Sequence, residues 1–224
     1  MLDRVIYELN HVGGPAGDLD ASLEFYAGLG AEVVDRLFMT GSRVHRVHLQ
    51  LATGLVELLH SEEPAPDATF GLDHVGFMTD ELDADYARLI GLGYAELTPP
   101  RVAGSGQGRL AFLSDPNGVR IELLQRTEEF RVPPIRSGPV RRLAFIALPA
   151  PDFEAAAEFY GTHLRLNRDP SDHSVFRIGD DAVKLLESPP AATTPVNHLG
   201  LATTTARPDA HDPDGNRLTF VPSQ

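Results

Sequence analysis

One unit is written twice within the first 126 residues, and that internal repeat constrains the fold more than any other feature of the chain. Leu9-Asn10-His11-Val12-Gly13 returns as Leu72-Asp73-His74-Val75-Gly76. Each phrase closes a short strand pattern and leads into an acidic cap and an amphipathic helix. Asp18 precedes Leu19, Leu23 and Tyr26, and Asp80 precedes Leu82, Tyr86 and Leu89, each set on one helical face. Both helices run into glycines, Gly28 and Gly30 in one and Gly91 and Gly93 in the other. Three strand-like segments follow: roughly Glu32–Phe38, Val44–Leu51 and Leu55–Leu59, then Tyr94–Leu97, Gly108–Ser114 and Val119–Leu124. The copies end alike, on Val56-Glu57-Leu58-Leu59 and Ile121-Glu122-Leu123-Leu124. His11 to His74 is 63 residues and Glu57 to Glu122 is 65, so the unit, β-α-β-β-β, holds its length.

The pattern predicts an α+β fold in which tandem βαβββ modules pair into a cup-shaped mixed sheet with helices outside. Residues 1–126 form the first domain, with modules at 4–60 and 71–126. A Pro-, Arg- and Ser-containing stretch, 127–139, reads as a linker. The second domain, 140–224, is expected to be degenerate and truncated. Its first module, 140–188, has strand Arg141–Leu148, helix Asp152–Thr162 and strands near His173–Ile178 and Ala182–Leu186. Pro189 to Pro195 punctuates again. The last module, 196–222, opens Val196-Asn197-His198-Leu199-Gly200 and ends Asp212-Pro213-Asp214-Gly215-Asn216-Arg217-Leu218-Thr219-Phe220, matching Asp115-Pro116-Asn117-Gly118-Val119-Arg120-Ile121-Glu122-Leu123. Too few residues separate those ends for a helix and all the middle strands.

Composition narrows the chemistry. With no cysteine, disulfides, thiolate metal sites and a cysteine nucleophile are excluded. A net charge of −13 repels phosphate backbones and anionic lipid, so neither nucleic acid nor a membrane is the expected partner. The amino terminus alternates like a strand and lacks the basic flank and apolar core of a signal peptide, and no stretch has the apolar length of a membrane span. The expectation is a cytoplasmic protein acting on a small molecule.

Strand alternation places Tyr7, Leu9 and His11 on one side of the first strand. It also sets Glu57 opposite Val56 and Leu58, and Glu122 on one face with Arg120 and Leu124. A carboxylate in the middle of an apolar strand is costly unless it is paired or meets a cation. Singly, a strand His or Glu is more often structural. Two glutamates at matched places in two repeats, each beside a strand histidine, point instead to a shared metal site. His11, Glu57, His74 and Glu122 make a borderline donor set suited to one divalent ion: Ni, Co, Zn, Mn or Fe. In Val44–Leu51, Val47, Leu49 and Leu51 share the apolar face, leaving Arg46, His48 and Gln50 either to line the cup or to face water. In the cup, His48 would orient substrate or shuttle a proton.

With these residues in place, the chain resembles the vicinal oxygen chelate superfamily. That superfamily includes glyoxalase I, methylmalonyl-CoA epimerase, extradiol dioxygenases and the fosfomycin and bleomycin resistance proteins. The pattern is closest to glyoxalase I and the epimerase. The likeness is detailed over Arg4 to Arg126 and looser over Val140 to Phe220, and the Asp-Pro-Asn-Gly turn before the last strand is also typical. It implies His11, Glu57, His74 and Glu122 as metal ligands, with Glu122 or Glu57 as catalytic base. It further implies isomerase or lyase chemistry on a small carbonyl-containing metabolite through a metal-stabilised enolate. Two alternatives stay open. An Fe(II) extradiol-type dioxygenase needs only His11, His74 and Glu122, and a resistance or metabolite-binding protein would bind without turnover. Modules pair either within the chain or across a homodimer. In the second half, aligning Leu143-Ala144-Phe145 on His74-Val75-Gly76 puts Leu143 at the first ligand position, with Lys184 and Thr219 replacing the glutamates and His198 surviving. No metal site is expected there.

Overall fold

The computed structural model describes residues 6–127, 138–188 and 194–223. The start of the first module at Arg4 and Val5, most of the 127–139 linker and most of the Pro189–Pro195 punctuation lie outside the described residues. The first module supplies β1 (Ile6–Pro15), α1 (Leu19–Gly28), β2 (Glu32–Met39), β3 (Val44–Leu51) and β4 (Gly54–Ser61). The second supplies β5 (His74–Thr79), α2 (Leu82–Gly91), β6 (Glu96–Val102), β7 (Arg109–Ser114) and β8 (Arg120–Gln125). They join through β1 and β5 of the same chain, antiparallel, into an eight-stranded sheet of order β2-β3-β4-β1-β5-β8-β7-β6. Modules therefore pair within the chain.

The second sheet repeats this plan with parts missing. β9 (Val140–Pro149) leads into α3 (Phe153–Ala157), which continues as a π-helical turn over Glu158–His163. β10 (Asn167–Arg168), β11 (Val175–Ile178) and β12 (Asp181–Leu186) complete that module. The last module keeps only β13 (His198–Thr203), a two-residue β14 (Ala210–His211) and β15 (Arg217–Pro222). The order is β10-β11-β12-β9-β13-β15-β14, and no helix lies between β13 and β15. The shortened copy is the one expected from its length.

Local physics accounts for the elements and for three departures from expectation. Asp18 caps α1, accepting from the Ala21 N–H at 3.0 Å. At α2 the N-cap position falls to Glu81, not Asp80, because Thr79 Oγ1 takes the Glu81 N–H and itself donates to Asp85 at 2.5 Å. β6 runs on to Val102 through Pro99 and Pro100, beyond the expected end near Leu97. As the edge strand of its sheet it needs no outward ladder donor there. The third departure governs the site. Leu9 pairs with Phe77 but His11 with Gly76, so Asn10 is an extra residue, a β-bulge. The bulge breaks simple alternation: Leu9 and Val12 enter the helix-side core, while His11 turns to the other face. Tyr7, Leu9 and His11 therefore do not share a side. β9 carries the same bulge, with Leu143 opposite Leu201 and Phe145 opposite Gly200. The counterpart of His11 is thus Phe145, two residues beyond the expected Leu143.

The core between sheets and helices is continuous, from Tyr26, Val47 and Phe77 to Phe159, Ile146 and Leu218. The two halves are also tied by matched hydrogen bonds. Tyr26 of α1 donates to Asp212 at 2.9 Å, and Tyr160 of the π-helical turn donates to Asp115 at 3.0 Å. Each helix of an odd module is thereby fastened to the Asp-Pro turn of an even module in the other sheet. Burial, reinforced by those aspartates, raises both phenols well above their ordinary value, so both remain donors.

Candidate metal centre

The face of the first sheet opposite its helices carries His11, Glu57, His74 and Glu122, all buried. Register puts them there. β1 pairs Gly13 with Glu57, β5 pairs Gly76 with Glu122, and the bulge at Asn10 aims His11 across at Gly76. One donor atom from each of the four lies within 4.8 Å of all the others. His11 Nε2 is 3.1 Å from His74 Nε2, 3.0 Å from Glu122 Oε2 and 3.9 Å from Glu57 Oε2. His74 Nε2 is 3.4 Å from Glu57 Oε2 and 3.6 Å from Glu122 Oε2. Two glycines make room for the rings. A Cβ at Gly76 would stand 2.3 Å from His11 Cε1, and one at Gly13 would stand 2.7 Å from His74 Cε1.

The imidazoles are oriented from behind. His11 Nδ1–H donates to Asn10 Oδ1 at 3.1 Å, and His74 Nδ1–H donates to Asp73 Oδ1 at 2.7 Å. Both Nε2 lone pairs then face each other and two carboxylates. That arrangement of four acceptors is repulsive unless a proton or a cation lies among them, and a backing acceptor on Nδ1 is what metal-binding histidines ordinarily have. The donor set fits a divalent ion. Without one, the charges act on each other. Burial alone would keep His74 neutral, but Asp73, Glu57 and Glu122 raise it to about 10. Burial alone would raise Glu57, but the His11, His48 and His74 imidazoles draw its carboxyl well below the usual range.

His48 lies inside the cup, 2% exposed, and its Nε2 meets Glu57 Oε1 at 2.8 Å. Burial holds this imidazole below its ordinary value despite that bond. A neutral His48 facing a carboxylate must present Nε2–H as the donor, so it pins one oxygen of Glu57. Arg46 and Gln50 are buried beside it, so the polar face of β3 does not face water, and Arg46 lines the cavity.

Glu57, His74 and Glu122 of the cluster line a cavity of about 570 Å³ that is bordered by Phe38, Leu59, Leu110, Phe112 and the 103–105 turn, with His11 buried behind them. The Gly104–Gly108 segment connects β6 to β7 along its rim, and Gln107 accepts from Arg46 at 2.8 Å. Four arginines also line it: Arg46, Arg101, Arg120 and Arg126. Burial lowers the Arg126 guanidinium, and the Glu122 and Glu57 charges act against that. In the sequence Arg126 is only the last residue before the expected 127–139 linker. Its place four residues beyond Glu122, in the same alternation phase, is the signal that would have found it. Asn10 and Asp73 were likewise missed as supports, although each directly precedes a ligand-type histidine.

Comparison with known proteins agrees with this architecture. The Mn(II)-bound glyoxalase from Novosphingobium aromaticivorans superposes with a TM-score of 0.66 at 18% identity, covering 96% of this chain and 81% of that one. Methylmalonyl-CoA epimerase from Mycobacterium tuberculosis superposes with a TM-score of 0.50 at 22% identity, covering 58% of this chain and 94% of that one. At these identities the likeness is one of fold. No curated protein matches the sequence. Among the described residues no helix is long and apolar enough to cross a membrane. The family model of the Glyoxalase/Bleomycin resistance protein/Dioxygenase superfamily matches residues 8–123, the span holding all four converging side chains, and the chain belongs to that superfamily.

Proposed function

We propose that this protein is a divalent-metal-dependent isomerase or lyase acting on a small carbonyl-containing metabolite. His11, Glu57, His74 and Glu122 are the residues that would hold the ion. The observation that carries the reading is the convergence of four donors, each imidazole fixed by a partner behind it, at the floor of a cavity large enough for a metabolite. When bound, the ion supplies Lewis-acid polarisation to a pair of neighbouring substrate oxygens.

The protein's own part is to move a proton. Glu57 has one oxygen held by His48 and the other turned to the two histidines, so it is the more constrained carboxylate. Glu122 has no such side-chain donor among the described residues, and it borders the cavity. We assign it the role of general base, removing the proton on the carbon next to the substrate carbonyl. His48 is a positioning residue that acts through Glu57. The low-dielectric walls, Phe112 and Leu110 among them, exclude water while the proton is held.

Elemental analysis of protein purified without added metal is the first test, with near-stoichiometric Ni, Co, Zn or Mn expected. The second is exchange of the α-proton of α-hydroxycarbonyl compounds and acyl thioesters in D₂O. Glu122→Gln should slow exchange by about 10²–10⁴-fold, the range of a general base. His48→Gln should act mainly through metal affinity. No metal, and none taken up on titration, overturns the reading. Bound iron with oxygen consumption on catechols replaces it with dioxygenase chemistry.

A further inference from the structure

The chain carries 19 basic against 32 acidic residues, yet four arginines face one cavity. Two of them are deeply buried, Arg46 at 4% and Arg126 at 7% exposure. Buried guanidinium groups are ordinarily fully paired. Arg46 is engaged by Asp35 and by Gln107, although its Nε has no hydrogen-bond partner among the described residues. Arg120, nearer the mouth, lies 4.0 Å over the Phe112 ring and 3.7 Å from Asp73. Arg126 differs. Its buried Nε has no hydrogen-bond partner among the described residues, and the negative charges that act on it most strongly are those of Glu122 and Glu57.

Those two carboxylates are already committed if the reading above holds. Two glutamates and a divalent ion sum to zero, which leaves the Arg126 charge uncompensated in a low-dielectric pocket. An occupant must complete it. We infer that Arg126 is the anion-reading residue of the cavity and that the substrate carries a carboxylate, set against Arg126 while its reacting carbonyl faces the His11, His74 and Glu122 side chains. A guanidinium presents parallel N–H donors matched to a planar carboxylate. Arg101 is exposed to solvent at the rim, so one buried charge is left uncompensated, and it balances a monoanion and not a phosphate dianion. The apolar walls at Leu59, Leu110 and Phe112 call for a hydrocarbon or aromatic body attached to that carboxylate. This assignment rests on the proposed metal-dependent reaction for its charge balance, but it is tested separately.

The test is calorimetric titration of the purified protein with benzoate, with its uncharged analogue benzamide and with phenyl phosphate, metal content being measured on the same sample. Benzoate should bind about 10–100-fold more tightly than benzamide, the worth of a charge-assisted pair. Arg126→Met should abolish that preference at unchanged metal content and melting temperature. Arg126→Lys, which keeps the charge, should restore part of it. Arg101→Gln, at the exposed rim, should leave most of it. A preference that survives in Arg126→Met overturns the assignment, because the carboxylate is then read by another group. Tighter binding of phenyl phosphate than of benzoate overturns the substrate class. An Arg126-dependent preference in protein that takes up no metal sustains the anion site and overturns the catalytic reading instead.

Discussion

His74 and His198 occupy the same place in the two sheets, yet their surroundings shift the two imidazoles in opposite directions from the ordinary value. Each opens the second module of its half, follows an Asp or Asn that accepts from its Nδ1, and stands edge-on to an aromatic ring from the neighbouring strand. The rings are 5.1 Å apart at 79° for His11 and His74, and 5.6 Å apart at 83° for Phe145 and His198. Burial lowers both histidines. In the first sheet Asp73, Glu57 and Glu122 reverse the effect and carry His74 to about 10. In the second, Arg217 and Lys184 add to it, and His198 falls to about 4. The backbone frame is copied, bulge included, but Phe145, Lys184 and Thr219 stand where His11, Glu57 and Glu122 stand in the first half. Lys184 pairs with Asp172 at 3.1 Å. A scaffold can therefore be kept while the demand for a cation is erased, by replacing acceptors with a ring, a hydroxyl and a fixed positive charge.

The comparison can be broken most forcefully by making the first half resemble the second. His11→Phe should remove metal uptake, weakening affinity by more than the roughly 10–100-fold that outer partners of a ligand contribute. Metal titration followed by elemental analysis checks it, and retained stoichiometric binding would mean that His11 is not a ligand. Next in size are the matched ties between the halves. Tyr26→Phe and Tyr160→Phe should each cost about 1.5–3 kcal/mol, the value of a buried hydrogen bond to a charged group, and by similar amounts in denaturant unfolding. A loss confined to one of them would show that the two ties are not equivalent.

The pH dependence of the second half is a smaller effect with a definite sign. His198 is held below its ordinary 6.5, so the unfolded chain takes up the proton first. Its contribution is present above about 6.5 and is lost as pH falls toward about 4. Allowing for its partial exposure, wild type should lose on the order of 2 kcal/mol relative to His198→Gln across that window. An imidazole resonance titrating near 6.5 would sink this. The smallest change mimics Asn197: Asp73→Asn keeps an acceptor for His74 but removes its charge, and should weaken metal binding by about tenfold.

Much of the site was legible because strand phase and repeat length are local properties. Glu57 and Glu122 could be matched from their apolar neighbours, and His74 from its phrase. The shortened last module followed from counting residues, and superfamily membership from the same matched positions. The face of His11 was identified correctly for the wrong reason, since simple alternation put it beside Leu9. The extra residue at Asn10 separates them, and no single-strand pattern reveals an insertion that is defined against a partner strand. The same blindness put Leu143 where Phe145 belongs. The full length of β6 was not legible, because only its edge position in the sheet lets a strand run on through Pro99 and Pro100.

The sequence by itself determined the modular fold, the paired His and Glu positions and the replacement of three of those four side chains in the second half. Each of these is carried by residue identity at a fixed spacing. Tertiary structure alone decided that modules one and two pair within the chain and that His48 pins Glu57. It also decided that each odd-module helix is fastened by the opposite half, and that Arg46, Arg101, Arg120 and Arg126 share one cavity. These are contacts between segments far apart in the chain, set by register, bulges and sheet order, and no local pattern encodes them.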